Sequence, residues 1–278
     1  MEEKEIFLSA HTMKILAKRE LLSSLYGWGL YIAIFISFLV SSFILKNFLQ
    51  GIRENNIFIS SYPLNFPLFT SVVIISLYLV IVSAISISRE REQGTLEVLF
   101  YGPVSSFSFL MGKYITDMLL YFIILGFFAI YFLGVSFLTN LGFTIALVKA
   151  FVVSIFLASC VISFGLFISS LTGKVRSSIV WLIGILLAFL GIWFLQNIFL
   201  RIPSEALSSW MRYLQKTIGI IYHFVNWVSP FSYLSRGMES IWLGSMKPFL
   251  LNILYSVLYT VILLALSVHI LRAKGVRA

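Results

Sequence analysis

Little in this chain of 278 residues can ionise, coordinate or cross-link. It holds one aspartate, Asp117, one cysteine, Cys160, and three histidines, and charged residues make up only 11% of it. A single cysteine excludes a disulfide framework and a cysteine metal site, and its place inside an apolar run reads as a small buried side chain. The histidines, at positions 11, 223 and 269, lack the local spacing of a zinc site or a histidine-centred catalytic group. A nucleotide site is missing too. Gly112-Lys113 and Gly173-Lys174 look like the end of a phosphate loop, but Tyr114 and Val175 stand where a magnesium-binding Ser or Thr belongs, and neither has the upstream glycine. On this reading the chain is not an enzyme and does not hydrolyse ATP by itself.

What is abundant is apolar surface. Hydrophobic residues make up 60% of the chain and aromatic ones 17%, with 27 Phe among them, more than a single soluble core can bury. Six nearly uncharged runs, roughly 26–45, 67–88, 115–138, 144–171, 178–200 and 249–271, have the length an α-helix needs to cross hydrocarbon. Lipid offers no partner to a free N–H or C=O, so the spans must be helical. The expectation is an all-α polytopic membrane protein with six transmembrane helices in a single transmembrane domain, 1–278.

A net charge of +9 would suit nucleic acid if the basic residues formed one face; they sit instead at the edges of the apolar runs, and no nucleic acid is expected. Six spans put both termini on one side. That side carries Lys4, Lys14, Lys18, Arg19, Arg89, Arg91, Lys113, Lys174, Arg176, Arg272, Lys274 and Arg277, which is 12 of the 20 Lys and Arg, and five of the other eight belong to one long loop. By the positive-inside tendency both termini are cytoplasmic. The mixed-charge start, with the first apolar run near Tyr26, does not read as a cleaved signal peptide. A proton- or sodium-driven carrier places an acid near the membrane midplane. Asp117 instead lies within a turn or so of the inner end of the third span, near Lys113, and Lys149 can snorkel outward. A transporter so equipped must draw energy from another protein or be a passive channel.

Two regions outside the spans carry patterns of their own. In 1–25, Ile6, Phe7, Ala10, Met13, Ala17, Leu21 and Leu25 recur at three- and four-residue steps opposite Lys14, Lys18 and Arg19; this suits an amphipathic helix along the inner membrane surface, with a disordered tail as the alternative. The loop 201–247 contains two apolar stretches, 218–228 and 231–243, too short to span. Ser229-Pro230 between them looks like an N-cap followed by a first-turn proline. Two arrangements fit: short helices re-entering the outer leaflet, or a small extracellular domain on the membrane.

The densest charge lies at 89–113, where Arg89, Glu90, Arg91, Glu92 and Glu97 fall within nine residues. Gly94 can break the helix and Thr95 can cap a new short one with an apolar ridge of Leu96, Leu99 and Phe100, before Gly102-Pro103 turns the chain and 104–111 runs along the membrane surface. A rigid ridge flanked by charge suits docking on a soluble partner; an ordinary positively charged loop with a surface helix is the plain alternative. The run Glu90-x-Glu92-Gln93-Gly94-Thr95-Leu96-Glu97, then Leu99, Pro103-Val104-Ser105 and Gly112-Lys113, resembles the loop between the second and third spans of ABC-2 type transporter permeases, the membrane subunits of type V ABC exporters. Ala17-Lys18-Arg19-Glu20-Leu21 is similar to the end of that family's elbow helix, and Ser229-Pro230-Phe231 with Arg236-Gly237 to the stretch before the last span in gliding-motility and nitrous-oxide-reductase maturation permeases. Ser106 departs from the pattern, since many members carry Arg or Lys there.

The resemblance implies a permease subunit in the plasma membrane of a prokaryote, dimeric with a second copy or a related permease. Each subunit would seat a coupling helix on one of two ABC ATPase subunits, which would hold the ATP and magnesium; this chain carries no cofactor. Glu90, Glu92, Gln93, Gly94, Thr95, Leu96, Glu97, Leu99 and Pro103 are the residues that the resemblance assigns to ATPase coupling. The passage would run between the permeases along the first, second and fifth spans, where Ser76, Ser83, Gln196 and Asn197 are among the few polar groups, suggesting export of an amphipathic or lipid-like substrate. The competing reading is a non-transporting membrane anchor or assembly factor that docks a soluble cytoplasmic protein through the same helix.

Overall fold

The structure, a computed structural model, describes residues 2–55, 64–101, 105–139, 144–201 and 209–275. Pro103 and the Gly102-Pro103 turn lie outside the described residues, as do the side chains of Ile6, Phe7, Ala10, Glu97 and Phe100. The described residues form the helices α1 (Glu2–Leu25), α2 (Trp28–Asn55), α3 (Asn65–Glu92), α4 (Thr95–Tyr101), α5 (Ser106–Thr139), α6 (Ile145–Leu171), α7 (Val175–Arg201), α8 (Ser209–Val228), α9 (Ser232–Trp242) and α10 (Met246–Gly275). Six of them, α2, α3, α5, α6, α7 and α10, are long and apolar enough to cross a membrane, and they coincide with the six apolar runs. The protein is an all-α polytopic membrane protein.

Several ends differ from the sequence reading, each for a local reason. Residues 106–114 do not lie apart along the surface but form the start of α5. Gly112 is the weakest helix former there, and the Ser108 N–H donates to Ser105 Oγ at 3.1 Å, so the helix is capped early and runs on. The end of α3, by contrast, agrees: the helix runs past the apolar run through Arg89–Glu92, all tolerant helix formers, and stops at Gly94, whose φ of 70° lies in the left-handed region. Helix α8 begins at Ser209, well before 218. Ser229 is not the cap of the next helix: Phe231 holds that position without a side-chain bond, and the Ser229 carbonyl accepts from Ser232 N–H at 3.2 Å.

Helix α6 is the most buried span and α7 the least. α6 lies between α3 and α10, and its small residues explain why. A Cβ on Gly165 would sit 2.7 Å from Ser83 Cβ and 2.8 Å from the Val80 carbonyl oxygen, so only glycine lets the two backbones approach this closely. Ser159, at the middle of α6, bridges Tyr114 of α5 at 2.7 Å and Thr260 of α10 at 3.0 Å. Cys160 is buried in the same helix and donates to the Ser256 carbonyl at 3.4 Å. On the other flank, Ser37 and Ser41 of α2 donate to the Ser71 and Pro67 carbonyls of α3. Such hydroxyls hold helices together where lipid gives no hydrophobic drive.

Two shorter helices close the ends. α1 packs on α5, with Thr116 Oγ1 donating to the Ala17 carbonyl at 3.2 Å; Ala17 is buried, while Lys14, Lys18 and Arg19 are exposed. At the opposite end α9 packs on α6 and α10. Gly237 leaves room for Val153, Asn252 Nδ2 donates to the Tyr233 carbonyl at 3.0 Å, and Arg236 stacks over Trp227 and Tyr233 while donating to the Asn226 carbonyl.

Candidate functional site

The turn between α3 and α4 gathers most of the residues singled out in the sequence, and three consecutive charges before it point in three directions. Glu90 Oε1 lies 2.9 Å from Lys113 Nζ of α5, and the same ammonium lies 2.5 Å from Glu20 Oε1 of α1. Lys113 is almost wholly buried there, with 4% of its side chain exposed. Burial pushes the Glu20 carboxyl above its ordinary range, against the pull of Lys113. Arg19 reaches Glu90 at 3.9 Å from an exposed position, a contact of little weight.

Arg91 Nη1 donates to the carbonyls of Thr172 at 3.0 Å and Ser170 at 3.4 Å, at the end of α6. Glu92 Oε2 accepts the N–H of Val175, the first residue of α7, at 2.9 Å. A cation thus meets the carbonyl end of one helix and an anion the amide end of the next, the favourable order for both dipoles. Glu90 and Arg91 turn onto other helices, Glu92 bonds α7 while staying exposed, and the turn then presents Gln93, Gly94 and Thr95, all exposed. Thr95 is the first residue of α4, and its hydroxyl donates back to the Glu90 carbonyl at 3.1 Å, closing the end of α3. Leu96 is buried and Leu99 half-buried against the bundle. The residues Arg19, Glu90, Thr95, Lys113 and Asp117 border a cavity of about 800 Å³ between α1, α3, α4 and α5.

The four polar residues expected along a passage are dispersed. Ser76 and Ser83 sit on the buried face of α3, where Ser83 donates to Asp117 Oδ2 at 2.5 Å and Ser76 Oγ has no partner among the described residues. Asp117 thus bonds across to α3 while bordering the same cavity as Lys113. Gln196 buries its Oε1, and Asn197 donates to the Trp193 carbonyl at 2.8 Å within α7. None of the four lines the apolar cleft of about 420 Å³ between α3, α7, α8 and α9. Its walls include Val73, Leu77, Leu186, Phe189 and Trp193, and its polar rim is Asn226, Ser229, Ser232 and Ser235.

The sequence reading missed Arg91 as a donor to α6, Glu20 and Lys113 as a pair, and the α8–α9 rim. The alternating charges are visible in the sequence, but which helices they reach depends on how α5, α6 and α7 lie beside the end of α3, and the sequence carries no signal for that.

The family model described as ABC-2 family transporter protein matches residues 60–269. No curated protein matches the chain. The match runs from before α3 to within α10 and takes in the charge cluster, the α3–α4 turn and the α8–α9 corner. The chain belongs to the ABC-2 family of transporter proteins, as a permease-type membrane component of an ABC system that is not itself the ATPase.

Proposed function

We propose that the chain is the permease subunit of an ATP-driven exporter whose ATPase seats on the α3–α4 turn. The observation that carries this is the division of labour among neighbouring residues. Glu90, Arg91 and Glu92 anchor the end of α3 to α5, α6 and α7, and exposed Gln93, Gly94 and Thr95 follow as an outward turn at which left-handed Gly94 sets the short helix α4 at an angle. A rigid, exposed knob of this kind suits a groove on a soluble partner. The partner is a pair of ABC ATPase subunits carrying ATP and magnesium, and a second permease completes the assembly. Both termini are cytoplasmic, α1 is the elbow helix on the inner membrane surface and α4 is the coupling helix. The membrane is the plasma membrane of a prokaryote.

The cargo is amphipathic or lipid-like. An apolar cleft with a hydroxyl- and amide-bearing rim at one end matches a molecule with a hydrocarbon part and a polar head. We place α8 and α9 as helices re-entering the outer leaflet. In support, α9 packs against Val153, eight residues into α6, about 12 Å of helix from its end.

Co-purification with a co-expressed ABC ATPase subunit tests the assignment. The expected result is a two-plus-two complex whose ATP turnover responds to the permease, and which Gly94→Trp or Thr95→Trp disrupts while the chain still inserts. Wild-type yield and turnover in both variants would instead favour a membrane anchor that uses another surface.

A further inference from the structure

The last three turns of α3 are stitched to the α6–α7 hairpin more closely than packing alone requires. Ser169 Oγ of α6 accepts the N–H groups of Ile87 at 3.0 Å and Ser88 at 2.9 Å. Ser178 Oγ of α7 donates to the Ala84 carbonyl at 2.5 Å, and both serines are fully buried. One turn further on, Arg91 holds the carbonyls that end α6 and Glu92 holds the amide that starts α7. Gly165 lets α3 and α6 close to backbone contact just beyond. These contacts leave α3, α6 and the first turn of α7 no independent freedom at this end. Elsewhere α7 is the least buried span and touches mainly α3 and α8.

We infer that Arg91 and Glu92 are positioning residues that make the α3–α4 turn and the α6–α7 hairpin one rigid body, so that a displacement of α4 swings α7. The order of the two charges matters: Arg91 on the carbonyl end of α6 and Glu92 on the amide end of α7 both attract, and exchanging them would make both repel. Because α7 is the least buried span, the rest of it can follow its first turn. Its Leu186, Phe189 and Trp193 form one wall of the apolar cleft, so the same swing changes the cleft's width. That the displacement comes from ATP rests on the function proposed above; the rigid body does not.

Spin labels at Tyr101→Cys on α4 and Val180→Cys on α7, both exposed, report the relationship directly, and buried Cys160 stays unlabelled. In the chain alone in lipid nanodiscs, the label pair gives one narrow distance. The exchange Arg91→Glu with Glu92→Arg broadens it, and Arg91→Lys, which keeps a donor at the carbonyls, does not. A broad distribution in the unmodified pair, or a wild-type distribution in the exchange variant, overturns the proposal. Should the exchange variant fail to fold, Glu92→Ala carries the same expectation, since it removes the acceptor that holds the Val175 N–H. In the assembled complex a third position, Leu258→Cys on α10, completes the test. ATP shifts both α4 and α7 relative to α10 in the unmodified protein, and Arg91→Glu loses the α7 shift while keeping that of α4. A chain that binds no ATPase would sink the exporter reading and leave the nanodisc distances to decide the rigid body.

Discussion

Lys113 on α5 and Glu20 on α1 are joined at 2.5 Å across 93 positions of chain, and Glu90 shares the same ammonium at 2.9 Å. Two carboxylates facing one buried cation make the three charges unequal in importance. Lys113→Met leaves both acids without their partner and costs about 3–5 kcal/mol, read as a large fall in melting temperature in detergent. Glu20→Gln keeps an acceptor, removes the surplus charge and is neutral or stabilising.

A pH dependence follows from the same cluster. The Glu20 carboxyl is held above its ordinary range by burial, so the folded chain binds its proton more readily than the unfolded one. Its contribution to stability is full at pH values below the ordinary carboxylate range and is lost as pH rises through the folded value. Melting temperature therefore climbs as pH falls from neutral toward that range. Glu20→Gln flattens the climb, and an unchanged slope in that variant would assign it to another group.

Gly165 is set against backbone, and backbone cannot step aside. Gly165→Ala places a methyl group 2.8 Å from the Val80 carbonyl oxygen and costs about 1–3 kcal/mol by overpacking. Gly184→Ala on α7, where an added Cβ meets nothing within 4 Å, gains helix propensity, about 0.5–1 kcal/mol. Thermal unfolding of the two variants side by side separates packing from propensity.

The six spans were legible because a run of uncharged residues is a property of composition, and lipid permits few structures for it. Gly94 was legible too, as a glycine between a charged helix end and a new apolar ridge. The contacts of Glu90, Arg91 and Glu92 with α5, α6 and α7 were not. A charge next to an exposed turn reads as surface until the distant ends of α6 and α7 are known to lie beside it, and Thr172 and Val175 carry no side-chain signal for that. Ser83 is legible as a polar group in an apolar run. Its partner, Asp117, lies on another helix 34 positions away, and the sequence offers no register between the two.

Gly94→Val tests the shape of the turn without touching a packed neighbour. At φ 70° with no atom within 4 Å of an added Cβ, the cost is conformational, about 1–2 kcal/mol. It is met by re-aiming α4, since the spans have far more contact to lose. The expected result is a chain that inserts and melts nearly normally but recovers less ATPase on affinity purification. Gly94→Asn, which tolerates the left-handed region better, recovers more than Gly94→Val.

Arg236 fixes the corner that carries the polar rim of the cleft. Its guanidinium lies 4.5 Å from the Trp227 ring centre and 4.8 Å from that of Tyr233, and it also donates to the Asn226 carbonyl. A lysine can keep the charge but cannot stack a flat group on two rings while bonding a carbonyl. Arg236→Lys therefore loosens α9 from α8 at a cost of about 1–2 kcal/mol. Since Asn226, Ser229, Ser232 and Ser235 on the same corner form the rim, the variant also weakens capture of an amphiphile. Trp193 in the cleft wall supplies the readout: in a protein that keeps only Trp193 and Trp227, bromine-labelled lysophospholipid quenches the fluorescence, and Arg236→Lys shifts the quenching to higher lipid concentration. Equal quenching in both proteins would mean that the rim does not hold the head of the amphiphile and that the apolar walls bind alone.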